Sequence, residues 1–382
     1  MTASRPRAAH AALAAAFLCF GAVDGTWAAR LPALQHRLSL DSGDLGLVLF
    51  CVSGAATLAL PVAGWLTSHR GSRGPVGLGL GVVAAGLTTA AFAPGLGSLV
   101  PAACALGAGF GIVDVSANAH GVVLEGRTGR PLLSALHGAW SFGLLAGSGI
   151  ASGAAAAGVA PRLQFPLVAA VVAVLALVLV PRLLPGSAEE ATVDSARFAL
   201  PRGVLALPAL LTFCSMFVES ATMNWSSVFL AGPVGAGAAT AAGGVVAFSI
   251  AMTAARFAGD PLLGRWGVGG LSIRGGLVSC AGIVLALATR SPVPALAGFA
   301  LVGAGCAAIV PALFRVAGSA PGIASGAGIA AVATAGYTGG VVQGPAIGFL
   351  ARGVGLTGAL GLVAVAAALI ALLGPRLPRE QR

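Results

Sequence analysis

Residues 165–180 read FPLVAAVVAVLALVLV, a run without a single charged or strongly polar side chain. Such a run offers no polar face to water, and the hydrocarbon of a bilayer accepts it. Helices are the structure to expect there, because a spanning backbone must satisfy its own hydrogen bonds. The run therefore predicts a transmembrane helix over 164–181.

The rest of the chain repeats this pattern. Of its 382 residues, 57% are hydrophobic and 8% are charged, and the mean hydropathy is +0.96. Soluble domains carry about a quarter charged residues, so the composition excludes a soluble fold. Clusters of Gly, Pro and Arg separate the apolar runs. The pattern predicts an all-α membrane protein with twelve transmembrane helices, over 9–30, 44–66, 75–93, 98–122, 132–157, 164–181, 203–230, 238–263, 273–289, 294–314, 325–350 and 355–373.

A polar stretch near the middle of the chain divides these helices into two sets of six. The sequence predicts an N-terminal six-helix bundle over 1–181, a cytoplasmic linker over 182–202 and a C-terminal six-helix bundle over 203–382. The first helices of the two halves echo each other in the order Cys, acid, Trp, with Cys19, Asp24 and Trp27 in one and Cys214, Glu219 and Trp225 in the other. Parallel repeats of six helices are typical of secondary transporters.

The net charge of +10 comes from arginine alone, since the chain contains no lysine. The arginines are scattered over short loops and form no basic stripe, so nucleic acid is not an expected partner. Their distribution follows the positive-inside rule and predicts that both termini are cytoplasmic in a multi-pass protein of the inner (plasma) membrane. The lipid bilayer is the expected partner, and the molecule is expected to be a monomer.

Enzymatic and metal-binding motifs are missing. The six cysteines stand alone in apolar runs, without the spacing of a metal site. The motifs HExxH, GxSxG and Walker A are also missing. We therefore expect no cofactor, no metal and no enzymatic activity.

Three carboxylates fall inside predicted membrane helices, namely Asp24, Asp114 and Glu219. Ionisable groups at such depth are functional candidates. Burial favours the neutral carboxylic acid, whereas water or a cation favours the anion. A conformational change that alternates these surroundings would load and release a proton, so the three residues are candidates for proton coupling. The alternative is a fixed structural carboxylate.

Other polar and aromatic side chains in the helices are candidates for solute binding. Asp114 and Asn118 are four residues apart and share a helix face. Aromatic rings could stack on a sugar, or could instead anchor helices at the membrane interface. His120 and His137 flank a short loop, where a histidine could titrate near neutral pH or simply be a wetted helix-end residue. The candidate substrate-binding residues are Trp27, Asp114, Asn118, His137, Trp140, Asn224, Trp225, Tyr337 and Gln343; for the last two, bonding between helices is an equal alternative.

The stretch from Gly64 to Arg73, GWLTSHRGSR, resembles the loop 2–3 motif of the major facilitator superfamily. Ser68 and His69 stand where that motif has an acid and a base. The C-terminal half has a better kept counterpart in RFAGDPLLGRWG over 256–267. The resemblance implies two six-helix halves that rock around a central cavity, and a cytoplasmic gate formed by Arg70, Arg73, Arg256, Asp260 and Arg265.

A narrower resemblance concerns the fucose–proton symporter group. Phe20 to Asp24 is similar to its helix 1, and Asp114 to Asn118 is similar to its helix 4. The resemblance implies that Asp24 couples protons and that Asp114 contacts both proton and sugar, although Trp140 replaces the asparagine of helix 5. Residues 130–141 also resemble a bacterial branch represented by the inner-membrane protein YbjJ.

The sequence thus predicts a proton-coupled secondary transporter of a small solute, with a sugar-like solute as the candidate, working by alternating access. Proton-driven efflux of drugs or metabolites is the alternative within transport. A non-transporting membrane sensor or assembly partner is the alternative of another class. Measuring proton entry on addition of substrate would separate the three: symport raises it, efflux lowers it, and a non-transporting protein leaves it unchanged.

Overall fold

A computed structural model describes residues 4–129, 132–185, 202–323 and 325–377. Arg130 and most of the predicted linker lie outside these residues. The regular elements are helices, which agrees with the predicted fold class. In chain order they are α1 (Ser4–Leu38), α2 (Ser42–Arg70), α3 (Arg73–Phe92), α4 (Leu96–Thr128), α5 (Leu133–Ala156), α6 (Pro161–Leu179), α7 (Ala206–Ala231), α8 (Ala238–Ala288), α9 (Pro292–Cys306), α10 (Ile309–Gly318), α11 (Ser325–Ala359) and α12 (Gly361–Leu373).

Breaks within the C-terminal helices differ from the predicted loops. The predicted loop 264–272 is helical apart from Gly267, whose φ of 66° and ψ of 174° kink α8. The predicted helix 294–314 is divided into α9 and α10. Gly355 (φ 74°) kinks α11 beyond its predicted end. In the described residues, counting α8 as two helices and α9 with α10 as one gives twelve helices, which is the predicted number.

Length and apolar composition show which of these helices could cross a membrane. In the described part of the chain, nine helical segments are long and apolar enough to cross a membrane, and 327–359 with 361–376 forms a further candidate bent by 66°. The outer face of α6 shows why lipid is required, because large apolar side chains stand exposed along it at helical spacing. They are Leu163, Leu167, Val171, Val174 and Leu177.

The chain divides into two compact units. Unit 1 comprises residues 1–40 and 48–193, and unit 2 comprises 41–47 and 194–382. The first turns of α2 thus belong to unit 2, although the rest of this helix belongs to unit 1. The predicted boundaries of the two halves did not include this division of α2.

Glycines let α1 and α5 approach closely within unit 1. A Cβ atom on Gly21 or Gly25 would lie 2.0 or 2.2 Å from a backbone oxygen of α5. A Cβ atom on Gly143 or Gly147 would lie 2.2 or 2.1 Å from a backbone oxygen of α1. The four residues form two interlocked Gly-xxx-Gly pairs, the arrangement that lets membrane helices pack backbone to backbone.

Candidate functional site

The carboxylates Asp24 and Asp114 lie within the helices α1 and α4 of unit 1, and both are half-buried. Asn118 donates from Nδ2 to Oδ1 of Asp114 at 2.9 Å and to the main-chain carbonyl of Asp114 at 2.8 Å. Among the described residues, no basic side chain lies within 4 Å of Asp114. Its Oδ2 and the amide oxygen of Asn118 can therefore bind a polar solute.

Phe20, Phe110 and Trp140 form an aromatic cluster that joins α1, α4 and α5. The ring centroids of Phe20 and Phe110 are 5.2 Å apart, and those of Phe20 and Trp140 are 6.2 Å apart. Each phenylalanine comes four residues before an acid, Asp24 in α1 and Asp114 in α4. Because these two helices run in opposite directions along the chain, each acid lies about 6 Å along its own axis from the cluster on opposite sides, so the rise between the acids is about 12 Å.

The aromatic cluster was only partly predicted. Trp140 was a candidate binding residue, but Phe20 and Phe110 were not singled out as its partners. The shared spacing of a phenylalanine one turn before each acid was the available signal. The cluster offers ring faces between two carboxylates, a combination suited to a solute with both apolar and hydroxyl surfaces.

The two histidines near the α4–α5 loop have different surroundings. His137 is exposed and makes an edge contact with the ring of Phe17 at 5.5 Å. His120 is fully buried, which contradicts the prediction of a wetted helix-end residue. Its Nε2 accepts the main-chain N–H of Leu184 at 3.2 Å, so the ring proton is on Nδ1, which lies 2.6 Å from Oγ of Ser72. His120 thus ties the ends of three helices together.

Glu219 of α7 pairs with Arg256 of α8 in unit 2. Nη2 of Arg256 donates to Oε1 of Glu219 at 3.2 Å, and the two side chains are 33% and 19% exposed. The sequence assigned these residues to different tasks, proton coupling for Glu219 and the gate for Arg256. The structure brings them into one half-buried charge pair.

Three of the candidate binding residues are fully buried. Nε1 of Trp225 donates to Oε1 of Gln343 at 2.9 Å, which joins α7 to α11. The ring of Trp27 packs on Phe165 of α6 with 6.2 Å between centroids. Contact of these side chains with a solute would require a change of conformation, and for Gln343 the structure shows the alternative of bonding between helices.

The other two candidates of unit 2 lie at different depths. Asn224 is 8% exposed and precedes Trp225 on the packed face of α7, whereas Tyr337 is 40% exposed on α11. Tyr337 is therefore accessible in this conformation, and Asn224 nearly inaccessible.

The predicted gate residues of loop 2–3 stand on either side of a tight turn. Arg70 ends α2, Arg73 begins α3, and Gly71 between them has a φ of 72°. Ser68 donates to the main-chain carbonyl of Trp65 at 2.9 Å.

In the counterpart motif of α8, Arg265 is exposed. The side chain of Asp260 lies outside the described part. The gate itself stays a prediction.

An ion pair in unit 2 escaped the sequence reasoning. Arg352 of α11 donates from Nε and Nη2 to the two carboxylate oxygens of Asp41 at 3.0 and 2.9 Å, and from Nη2 to Asp44 at 3.2 Å. The hydrogen bond from Arg352, followed by that from the main-chain N–H of Asp44, holds the pKa of Asp41 below its usual value. The pair fastens the first turns of α2 to α11.

Comparison with known proteins identifies the family, although no family model matches the chain. An uncharacterised MFS-type transporter of Yersinia pestis is 33% identical over 351 residues, which cover 92% of this chain and 91% of that protein. The chain belongs to the major facilitator superfamily. A second relative, the uncharacterised transporter y4wD of Sinorhizobium fredii, is 30% identical over 372 residues, 96% of this chain and 97% of its own.

Solved structures show the same twelve-helix fold. The D-xylose–proton symporter has a TM-score of 0.79 at 13% identity and covers 97% of this chain and 98% of its own. The Escherichia coli fucose:proton symporter has a TM-score of 0.63 at 17% identity and covers 97% and 98%. The chain is thus a membrane transporter of the major facilitator type. The YbjJ-like branch stays a prediction.

Proposed function

We propose that this major facilitator protein couples the movement of protons to that of a small polar solute, with Asp114 as the central proton-binding residue. The observation that carries the proposal is a carboxylate in the middle of α4 whose partner is the amide of Asn118, with no cation within 4 Å among the described residues. In apolar surroundings an ionised carboxylate without a counter-charge has a high free energy. Binding a proton neutralises it and lowers that free energy.

The pairing of Asp114 with Asn118 links protonation of Asp114 to the binding of the solute. Asn118 donates to Oδ1, so the second carboxyl oxygen, Oδ2, would be the one to bind the solute. As an anion Oδ2 accepts a hydrogen bond, and as an acid it donates one. A solute hydroxyl bound between Oδ2 and the amide oxygen of Asn118 would therefore respond to the protonation of Asp114.

The aromatic cluster completes the proposed solute site of unit 1. Sugar rings present C–H groups that pack on aromatic faces, and Trp140 is half-buried and so partly accessible. Asp24 lies on the other side of the cluster and is the second proton-binding candidate. Two of the structural neighbours are named as sugar–proton symporters, which supports a sugar-like solute and symport.

Glu219 and Arg256 have a different part in the proposal. Protonation of Glu219 removes one charge of a half-buried pair and weakens its attraction for the guanidinium of Arg256. Arg256 can then bind an acceptor group of the solute or another residue. Coupling would thus use a lone carboxylate in unit 1 and a charge pair in unit 2.

The proposal includes the predicted topology. Alternating access would move the solute across the inner membrane with both termini in the cytoplasm, and the five predicted gate arginine and aspartate residues would close the cytoplasmic side. A cysteine introduced near either terminus should be labelled by a membrane-impermeant reagent only after the membrane is opened.

Proton movement in liposomes tests the assignment of Asp114. A thermal-shift screen of D-xylose, L-fucose, carboxylates and cationic drugs first identifies a stabilising compound, because a ligand of the native state raises its apparent stability. Addition of that compound to liposomes containing a pH-sensitive dye should acidify the lumen for the wild type. The variant Asp114→Asn should lose this acidification but keep exchange of labelled compound across the membrane.

Glu125→Gln is the matched control, because Glu125 lies on the same helix but accepts main-chain N–H groups of Leu132 and Leu133. This variant should acidify the lumen like the wild type. Equal acidification by Asp114→Asn and wild type would refute the role of Asp114. A compound that drives protons in the opposite direction would identify efflux in place of symport.

A further inference from the structure

The side chain of Arg30 is a buried charge at the end of unit 1 where α1 meets α6. It is 4% exposed, although the sequence placed it at the very end of the predicted helix 9–30. Nη2 donates to the main-chain carbonyl of Val159, but Nε has no hydrogen-bond partner among the described atoms. The carboxylate of Asp24 stands six residues earlier on α1, about 9 Å along the axis. A buried charge is normally compensated by an opposite charge.

Two further donors near Arg30 are also buried without a partner. Trp27 comes one turn before Arg30 and is 1% exposed, and its indole Nε1 has no acceptor in the described part of the chain. Its ring packs on Phe165, the neighbour of Gln164 on α6. Gln164 is 4% exposed, and both polar atoms of its carboxamide lack a partner as well. Buried polar groups are rarely left in this state, so these deserve an explanation.

The backbone adds positive potential at the same place. Val159, which accepts from Arg30, comes two residues before Pro161, the first residue of α6, and the N-cap residue Ala160 makes no side-chain cap. A helix N-terminus carries roughly half a positive charge. Arg162 lies in this first turn and repels Arg37 electrostatically. None of the three arginines pairs with an acid in the residues that the structure describes.

We infer that Arg30, Trp27 and Gln164 form a binding site for a small monovalent anion between α1 and the N-terminus of α6. The guanidinium Nε–H, the indole N–H and the carboxamide NH2 supply three donors, and the carboxamide can rotate to direct its NH2 to the anion. The guanidinium of Arg30 carries one positive charge and the N-terminus of α6 adds about half a charge, which together can compensate a single negative charge. The rings of Trp27 and Phe165 provide apolar walls, which suit a weakly hydrated ion such as a halide.

The site is independent of the proposed proton coupling, because it uses none of the three coupling carboxylates. An anion held there would join α1 to α6 and stabilise unit 1 by mass action. Stability should therefore depend on the kind of anion in solution and saturate with its concentration, whereas general screening by salt depends on ionic strength alone.

Thermal unfolding of the purified full chain in detergent tests the site with chloride as the probe. Sodium chloride is titrated against sodium gluconate at constant ionic strength. The unfolding temperature of the wild type should rise to a plateau with chloride. The variant Gln164→Leu, which keeps the size of the side chain but removes its donors, and Trp27→Phe should each weaken the apparent chloride affinity at least tenfold.

Gln343→Leu is the matched control, since Gln343 is another fully buried glutamine of the chain and lies in unit 2. It should keep the chloride response of the wild type whatever its own stability. Should a site variant fail to fold, crystals of the wild type soaked in bromide should show an anomalous peak beside Arg30. Equal unfolding temperatures in chloride and gluconate, an unchanged response in both site variants, or no bromide peak beside Arg30 would each overturn the inference.

Discussion

Replacement of Gly147 by alanine is expected to destabilise the protein by about 1–3 kcal/mol, the usual range for overpacking. The new Cβ atom would lie 2.1 Å from the main-chain oxygen of Ala22 on α1. Ordinary van der Waals contacts of a Cβ atom begin at 3.4 Å, so the helices would have to separate by about 1.3 Å (3.4 minus 2.1) at this point. The atom that the new Cβ would meet belongs to the backbone, so no flexible side chain can turn away to relieve the contact.

Gly149 offers a matched control two residues further along α5. A Cβ atom added there would meet nothing within 4 Å. Alanine has the higher helix propensity, so Gly149→Ala should leave stability unchanged or raise it by up to about 1 kcal/mol. Chemical unfolding of the purified variants in mixed micelles would measure both differences.

The interlocked glycines also predict coupling across the helix pair. Gly21→Ala on α1 should be destabilising by itself, because its Cβ atom would lie 2.0 Å from the main-chain oxygen of Trp140. Once one substitution has separated the helices, the second meets less resistance, so the double variant should lose less than the sum of the two. Equal stability of Gly147→Ala and Gly149→Ala would refute the close packing of α1 on α5.

Three further predictions concern polar contacts. His120→Phe should destabilise the fold by about 1–3 kcal/mol in thermal or chemical unfolding, because it removes the buried hydrogen bonds to Ser72 and to the main-chain N–H of Leu184; unchanged stability would mean that these bonds contribute nothing. In a double-mutant cycle of Glu219→Gln and Arg256→Gln, a coupling of about 1–2 kcal/mol is expected for a half-buried pair, and strict additivity would contradict the pairing. Asp41→Asn should lower stability at neutral pH, but the difference from wild type should disappear on acidification below the ordinary pKa of 3.8. Arg352 lowers the pKa of Asp41 in the folded state, so the stabilisation by the ionised carboxylate is lost as the pH falls through that lowered value. A difference in stability that persisted at lower pH would show that the ion pair is not its cause.

Helix ends show where local reasoning failed. The predicted helix 9–30 extends to Leu38 in the structure, through Pro32; Arg30 donates to a carbonyl of the segment between α5 and α6, and Arg37 donates to a carbonyl of α3. Gly267 was part of a predicted loop of nine residues, but the structure confines the break to this one residue with positive φ, where two helical stretches meet. The contacts of Arg30 and Arg37 involve residues far away in the chain, which helix-stop signals in the sequence do not contain.

The candidate site was predictable residue by residue but not as a set of contacts. Asp114 and Asn118 are one turn apart on a single helix, so their hydrogen bond follows from the sequence alone. Glu219 and Arg256 belong to different helices, and their pairing changes the role that the sequence predicted for each residue. The burial of Trp27, Trp225 and Gln343 likewise depends on which face each helix turns to its neighbours.

By itself, the sequence determined the all-helical fold, the number of spans and the positions of the intramembrane carboxylates. These follow from apolar run length and from the cost of an unpaired backbone in lipid, which are properties of each segment alone. Only the tertiary structure decided which charges pair, which aromatic rings are accessible, and which arginines are buried without an acid. Those properties depend on the rotation and approach of helices far apart in the chain, and in lipid this packing is governed by small-residue contacts and polar bonds whose partners cannot be inferred from one sequence.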